Sequence, residues 1–223
     1  MKRSRMDIQS NDDYVMLAPS PYFKNYLSQR NYNFSENFTK KVLSEYTNEL
    51  YLKINNYLRS VNFAREVTYK FKPELTRINN TDWELKLKPI QVLNQNEVNA
   101  YFNLHKMIKS LSNSLTGLGP YIAELDDIPK YTTVYRGVKK KPPAWYIGYK
   151  FVFPEFISTS LDINVAKSFG QYIFVINLCG KGYKGVSKLS YFPGEQEVLI
   201  NAYSKYEITK VDGNYHYMDC YDD

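Results

Sequence analysis

The chain has 223 residues, 43% hydrophobic and 16% aromatic, with a formal net charge of +6. That is enough apolar content for a real core in one domain or two small ones, and a globular fold is the default. No stretch is long and apolar enough for a transmembrane helix, and the start "MKRSRMDIQSNDDY" lacks the apolar segment of a secretory signal.

Two cysteines, Cys179 and Cys220, are too few for a disulfide framework and wrongly spaced for zinc, and they read as free thiols. The positive charge favours acidic partners in general, yet it is scattered. Its densest run, Lys139 to Lys141, leads into Pro142 and Pro143 and reads as a solvated loop. Nucleic acid is therefore not the expected partner, and no membrane partner is expected either.

Residues 1–33 are polar and irregular and read as an N-terminal arm, followed by a single domain over 34–223. Within it, 34–128 is expected to be mainly helical and 129–223 mainly β. Ser35 is placed to cap a helix whose stripe, Phe38, Val42, Tyr46, Leu50, Ile54 and Leu58, recurs every four residues. A second helix is expected from about Glu97 to Leu115, with Tyr101, Leu104, Ile108, Leu111 and Leu115 inward and Gly117, Gly119 and Pro120 ending it. His105, beside that stripe, reads as a structural residue. Beyond Pro129, short runs rich in Val, Ile, Tyr and Phe are punctuated by Gly, Pro, Asn and Asp: "YTTVYRG", "WYIGYKFVF", "EFISTS", "YIFVINL", "EVLINAY", "YEITKV" and "NYHYM". Helices first and strands later predict an α+β fold.

Three of those strands carry polar motifs: "VYRG" with Arg136, "FISTS" with Ser158, Thr159 and Ser160, and "EQE" with Glu195 and Glu197. If the last motif lies wholly in a strand, side-chain alternation puts Glu195, Glu197 and Leu199 on one face. Two like charges would then look the same way. Each motif alone is weak, and their joint order at the ends of apolar strands is the stronger signal.

In that order the chain resembles the arginine-directed mono-ADP-ribosyltransferases with the Arg, Ser, ExE signature, a family of actin-modifying toxins and vertebrate ecto-enzymes. "FPGEQEVLI" is similar to the catalytic strand of the ecto-enzymes, and "YTNELYLKINNYLRS" to a helix of the toxin branch. "KYTTVYRGV", "FISTSLD" and "VAKSFG" complete the set, so the resemblance runs from about Tyr46 to Ile208. It implies two packed, mainly antiparallel sheets forming an NAD cleft behind a helical layer. It also implies transfer of ADP-ribose from NAD to an arginine of a target protein, with release of nicotinamide. NAD is then a consumed substrate, with no metal needed.

The resemblance assigns roles by position. Glu197 bonds the ribose hydroxyl next to the reacting carbon, where a carboxylate offsets oxocarbenium charge. Glu195 orients the acceptor guanidinium and takes its proton. Arg136 meets the NAD phosphates with its planar fork, and Gly137 lets backbone approach the nicotinamide amide. Ser158 holds the catalytic glutamate and Thr159 supports the strand. Ser160 completes the NAD-binding motif. Phe169 is placed against nicotinamide, and Tyr191 and Phe192 against the protein acceptor.

The chain also departs from its relatives. It shows neither the signal peptide nor the paired cysteines of the ecto-enzymes, so a cytoplasmic protein, or one delivered into a host cell, is expected. Where some toxins have a second arginine after STS, this chain offers Lys167. The acceptor is chosen by the surface around residues 183–194, and actin is a candidate only by analogy with the toxins. Two other readings stand beside transfer: an NAD glycohydrolase using water as acceptor, and a catalytically silent interaction module with the same fold.

Overall fold

The computed structural model of the protein describes residues 33–63, 71–77, 83–89, 95–142 and 145–221, so all but the last residue of the expected arm lies outside it. Helix α1, Glu36–Glu45, starts where the sequence placed it: Ser35 is extended and its hydroxyl accepts from the Phe38 N–H at 3.2 Å. A π-helical turn, Tyr46–Leu50, separates it from α2, Tyr51–Phe63. The spacing of the apolar stripe accounts for this break. A four-residue step overshoots the α-helical turn of 3.6 residues, so a long stripe drifts around the axis. One wider i→i+5 turn takes up that drift.

Helix α3 spans Gln95–Thr116. It ends as the glycines predicted: Gly117 has φ +75°, and the amides of Leu118 and Gly119 both donate to the Asn113 carbonyl, at 2.9 and 3.0 Å. Val42, Leu43, Tyr46, Ile54 and Leu58 pack with Leu104, Ile108, Leu111 and Leu115 in one cluster that also takes Phe156 and Leu199 from the sheet. The side chain of Tyr101 lies outside the described residues. His105 is structural, as expected: it is buried and its Nε2 lies 2.5 Å from the Tyr57 hydroxyl.

The expectation of a mainly helical 34–128 missed one element. Strands β1, Phe71–Arg77, and β2, Trp83–Pro89, form an antiparallel hairpin. "WELKLKP" alternates apolar and charged residues with the period of a strand, so the signal was present.

The second half forms β3 Thr133–Val138, β4 Lys150–Phe153, β5 Ile157–Ser160, α4 Ile163–Phe169, β6 Tyr172–Asn177, β7 Tyr183–Gly185, β8 Glu197–Ile200, β9 Ser204–Asp212 and β10 Tyr215–Cys220. The eight strands are hydrogen-bonded in the order β4-β9-β10-β6-β3-β5-β8-β7, antiparallel except for β6 and β10. Phe153 and Tyr206 from one end of this sheet share a core with Tyr183, Val198 and Ile200 from the other. The sheet therefore curls into two packed leaves, the architecture expected of the fold class. Trp145 closes the interior, stacked on Phe151 with ring centroids 4.7 Å apart.

Parallel pairing of β6 with β10 puts the ends of both strands together, with Cys220 the last residue of β10 and Cys179 two residues beyond β6. They are joined as a disulfide, with Cα atoms 6.2 Å apart, which corrects the reading of two free thiols. Missing paired cysteines thus no longer separate this chain from the ecto-enzyme branch.

The stretch after STS is helix α4, capped by Asp162, whose Oδ1 accepts from the Asn164 N–H at 2.8 Å. It lies backbone to backbone on β3. A Cβ at Gly137 would stand 1.8 Å from the Ala166 carbonyl oxygen, and one at Gly170 would stand 2.1 Å from the Val138 carbonyl carbon. Gly137→Ala should therefore cost on the order of 2 kcal/mol or more of unfolding free energy in a denaturant titration. Gly194→Ala, with no atom within 4 Å, should be close to neutral, and equal stability of the two variants would contradict this account of the packing.

His216 is buried edge-on to Trp145 and Phe174, and burial holds its pKa below the ordinary value. Below about pH 6.5 the unfolded chain then binds a proton that the folded one resists, so stability should fall as pH drops through that value. Urea midpoints at pH 7 and pH 5 should differ less for His216→Gln than for the parent; an unchanged difference would remove His216 as a cause.

Candidate active site

Strands β3, β5 and β8 are neighbours, which brings the three polar motifs together across more than sixty residues of chain. The register is antiparallel: Tyr135 faces Ser160, Ser160 faces Glu197, and Ser158 faces Leu199. Residues opposite one another in a ladder share a face, so Ser158, Ser160, Glu197 and Leu199 look one way. Leu199 belongs to the cluster built with the helices, so this face is turned towards the helical layer. Glu197 is 1% exposed and sits directly across from Ser160, with Ser158 its diagonal neighbour.

Thr159 points to the other side, where its Oγ1 donates to the Val198 carbonyl at 2.7 Å and ties β5 to β8. The ladder runs past Glu197, because the Leu161 N–H donates to the Gln196 carbonyl at 3.2 Å. Ser160 Oγ accepts from the Asp162 N–H at 2.9 Å and turns the chain into α4. Helix α4 ends in buried Phe169 and exposes Lys167.

Arg136 is 6% exposed, and its Nη1 donates to the Ser158 carbonyl at 3.1 Å. Its strand neighbours Val134 and Val138 line the sheet interior, so the guanidinium reaches β5 from that side. A buried cation is costly unless hydrogen-bonded, and this bond engages one of its five N–H donors and fixes β3 to β5. Arg136 therefore has an anchoring role that sequence reasoning did not supply. Gly137 has a local reason to be glycine in the close approach of α4.

The two acids are not held as the sequence suggested. Strand β8 begins at Glu197; Glu195 ends a 3-10 turn, Pro193–Glu195, and Gln196 between them is left-handed, φ 46° and ψ 48°. Alternation along a strand cannot then put Glu195 on the face of Glu197, and its direction is set by the turn. Glu195 is half-buried while Glu197 is enclosed. A non-glycine residue in the left-handed region costs on the order of 1 kcal/mol, a strain that clusters at functional turns.

Tyr191 is 55% exposed and Phe192 half-buried in the turn leading to Glu195. The Phe192 N–H donates to Ser190 Oγ at 2.9 Å, and the Tyr191 N–H donates to Thr47 Oγ1 at 3.1 Å. Thr47 and Asn55 are the residues that sequence reasoning missed. Asn55 Nδ2 donates to the Phe156 carbonyl at 3.1 Å and Oδ1 accepts from the Phe156 N–H at 3.3 Å, just before β5. Both are polar residues beside an apolar helical stripe, and that was the available signal.

The family profile described as ADP-ribosyltransferase exoenzyme matches residues 22–216. A chicken (Gallus gallus) protein, NAD(P)(+)--arginine ADP-ribosyltransferase 2, is 38% identical over 82 residues, covering 36% of this chain and 26% of the relative. The match thus spans about a quarter of that relative's length. Among solved structures, the ADP-ribosyltransferase Vis in complex with agmatine, a toxin from Vibrio splendidus, aligns with a TM-score of 0.52 at 21% identity, covering 90% of this chain and 81% of that one. Exoenzyme S from Pseudomonas aeruginosa, solved with human 14-3-3 protein beta and carba-NAD, aligns with a TM-score of 0.50 at 17% identity, covering 81% and 72%. These two likenesses concern the fold. With the family profile covering most of its length, the chain belongs to the ADP-ribosyltransferase exoenzyme family.

Proposed function

We infer that the protein transfers ADP-ribose from NAD to arginine side chains of a target protein and releases nicotinamide. The observation that carries this reading is that Arg136, Ser158 and the enclosed Glu197 lie on three adjacent strands, Arg136 bonded from the sheet interior to the Ser158 carbonyl, with Glu195 in the turn that feeds the last of them. Two similarities support the acceptor: the chicken relative bears an arginine transferase name, and Vis was solved with agmatine, a small guanidinium compound.

Breaking the bond between nicotinamide and ribose builds positive charge on the sugar. A carboxylate enclosed by protein interacts with that charge far more strongly than one in water, because little solvent screens it. Glu197 is the group for this step, accepting from the ribose hydroxyl beside the reacting carbon. Ser158, its diagonal neighbour, steadies it. The Arg136 guanidinium carries five N–H donors, and beyond the one on Ser158 it offers a fork to a phosphate of NAD. Gly137, Thr159, Ser160 and Phe169 line or support the same dinucleotide. Glu195, outside the enclosed strand, meets the incoming guanidinium, orients it and accepts its proton, and Tyr191 and Phe192 contact the protein that bears it.

The test is mass-spectrometric detection of ADP-ribose on agmatine and on lysate proteins incubated with the protein and NAD. Glu197→Gln should lower transfer by about a hundredfold or more while NAD affinity stays within about twofold, since the lost interaction belongs to the transition state. Glu195→Gln should lose transfer to agmatine and retain NAD hydrolysis. For Arg136→Ala, NAD affinity should weaken, and unchanged affinity would remove it from the phosphate site. Free ADP-ribose with no adduct on any acceptor would favour a glycohydrolase. No NAD turnover at all would favour a silent interaction module.

A further inference from the structure

The turn from Val186 to Gln196 is stitched by short-range bonds: Leu189 N–H to the Val186 carbonyl at 3.0 Å, Glu195 N–H to the Phe192 carbonyl at 3.0 Å and Gln196 N–H to the Pro193 carbonyl at 3.3 Å. Such bonds shape a turn but do not locate it on the protein. Its two ends are located, since the Val186 N–H donates to the Glu197 carbonyl at 2.9 Å and Lys188 pairs with Asp126. Its crest is met by Thr47, 144 residues away in sequence, whose Oγ1 accepts from the Tyr191 N–H. Thr47 is fully buried and lies in the π-helical turn. Its hydroxyl hydrogen is committed, donated to the Ser44 carbonyl at 2.7 Å, which leaves an oxygen lone pair aimed at the turn.

We propose that Thr47 is a positioning residue for the acceptor side of the reaction: by holding the crest at Tyr191 it sets where Glu195, four residues on, meets the acceptor. This deepens the arginine-transfer reading and rests on it. The π turn supplies the reason for its place in the helix. An i→i+5 turn opens the backbone locally and sits at functional positions more often than elsewhere in helices. Here it falls where α1 gives way to α2, and the half-buried Leu189 of the turn packs against the same helical core. Released from Thr47, the crest would keep its local shape and lose its distance from the NAD strands. The expected consequence is selective: the acceptor is placed badly while NAD cleavage proceeds.

The experiment compares Thr47→Val, which keeps the shape and loses the oxygen, with Thr47→Ser, which keeps the oxygen. Agmatine modification and NAD hydrolysis are measured together. In Thr47→Val the ratio of transfer to hydrolysis should fall about tenfold, through a higher KM for agmatine with the KM for NAD unchanged, as expected for loss of one hydrogen bond. Thr47→Ser should restore the ratio to within about twofold. A parent-like ratio in Thr47→Val would overturn the proposal, and so would equal loss of both activities.

Amide hydrogen exchange on the parent provides a measurement that needs no variant to fold. The Tyr191 amide should be protected relative to that of Gly194, and a Tyr191 amide exchanging as fast as Gly194 would overturn the anchoring. A parent that hydrolyses NAD and leaves agmatine unmodified would refute the arginine reading and the acceptor half of this proposal. Exchange at Tyr191 would still decide whether Thr47 holds the turn.

Discussion

The paired hydrogen bonds between the Asn55 side chain and the Phe156 backbone join the two halves of the protein. An amide meeting a peptide group in both directions fixes a helix against a strand in distance and in rotation. Asn55 is buried, and its Nδ2 also reaches the Tyr46 hydroxyl at 3.0 Å, so the polar group is satisfied inside an apolar layer. Removing it would strand the Phe156 N–H and carbonyl in that layer, which is more damaging than the loss of one surface bond. Everything downstream of Phe156 inherits its position: Ser158 two residues on, Glu197 across the ladder, and the turn that precedes Glu197.

The helical layer therefore has a more specific role than covering the sheet. One segment, the π turn with the start of α2, touches the residue before β5 through Asn55 and the turn before β8 through Thr47. On the proposed reading, the donor and acceptor sides of the transfer are both located from this one segment. Over β3, α4 lies so close that glycine is required at Gly137 and Gly170. The three strands are thus bordered by one element that meets them through polar side chains and another that meets them through backbone.

The sequence was most legible where one residue type answers one physical demand. Ser35 as a cap, Gly117 as a helix stop and the apolar stripes of α1 and α3 all follow from local rules, and Arg136, Ser158 and Glu197 lie on adjacent strands. It was least legible where the answer lay in distant chain. The pairing of Cys179 with Cys220 depends on β6 and β10 running parallel, which spacing does not reveal. The departure of Glu195 from strand geometry depends on a left-handed Gln196, a conformation its residue type does not announce. Thr47 and Asn55 became interpretable only once Tyr191 and Phe156 stood opposite them. The hairpin of β1 and β2 differs in kind, because the alternation in "WELKLKP" was there to be read.

The central claim is that Glu197, enclosed opposite Ser160, is the carboxylate that meets the sugar of NAD. A crystal structure of the protein with a non-hydrolysable NAD analogue tests it most directly. The account predicts a Glu197 carboxylate oxygen within hydrogen-bond reach, about 2.6–3.2 Å, of the ribose hydroxyl beside the nicotinamide-bearing carbon. A dinucleotide seated away from β5 and β8, or one whose ribose meets another carboxylate, would contradict it.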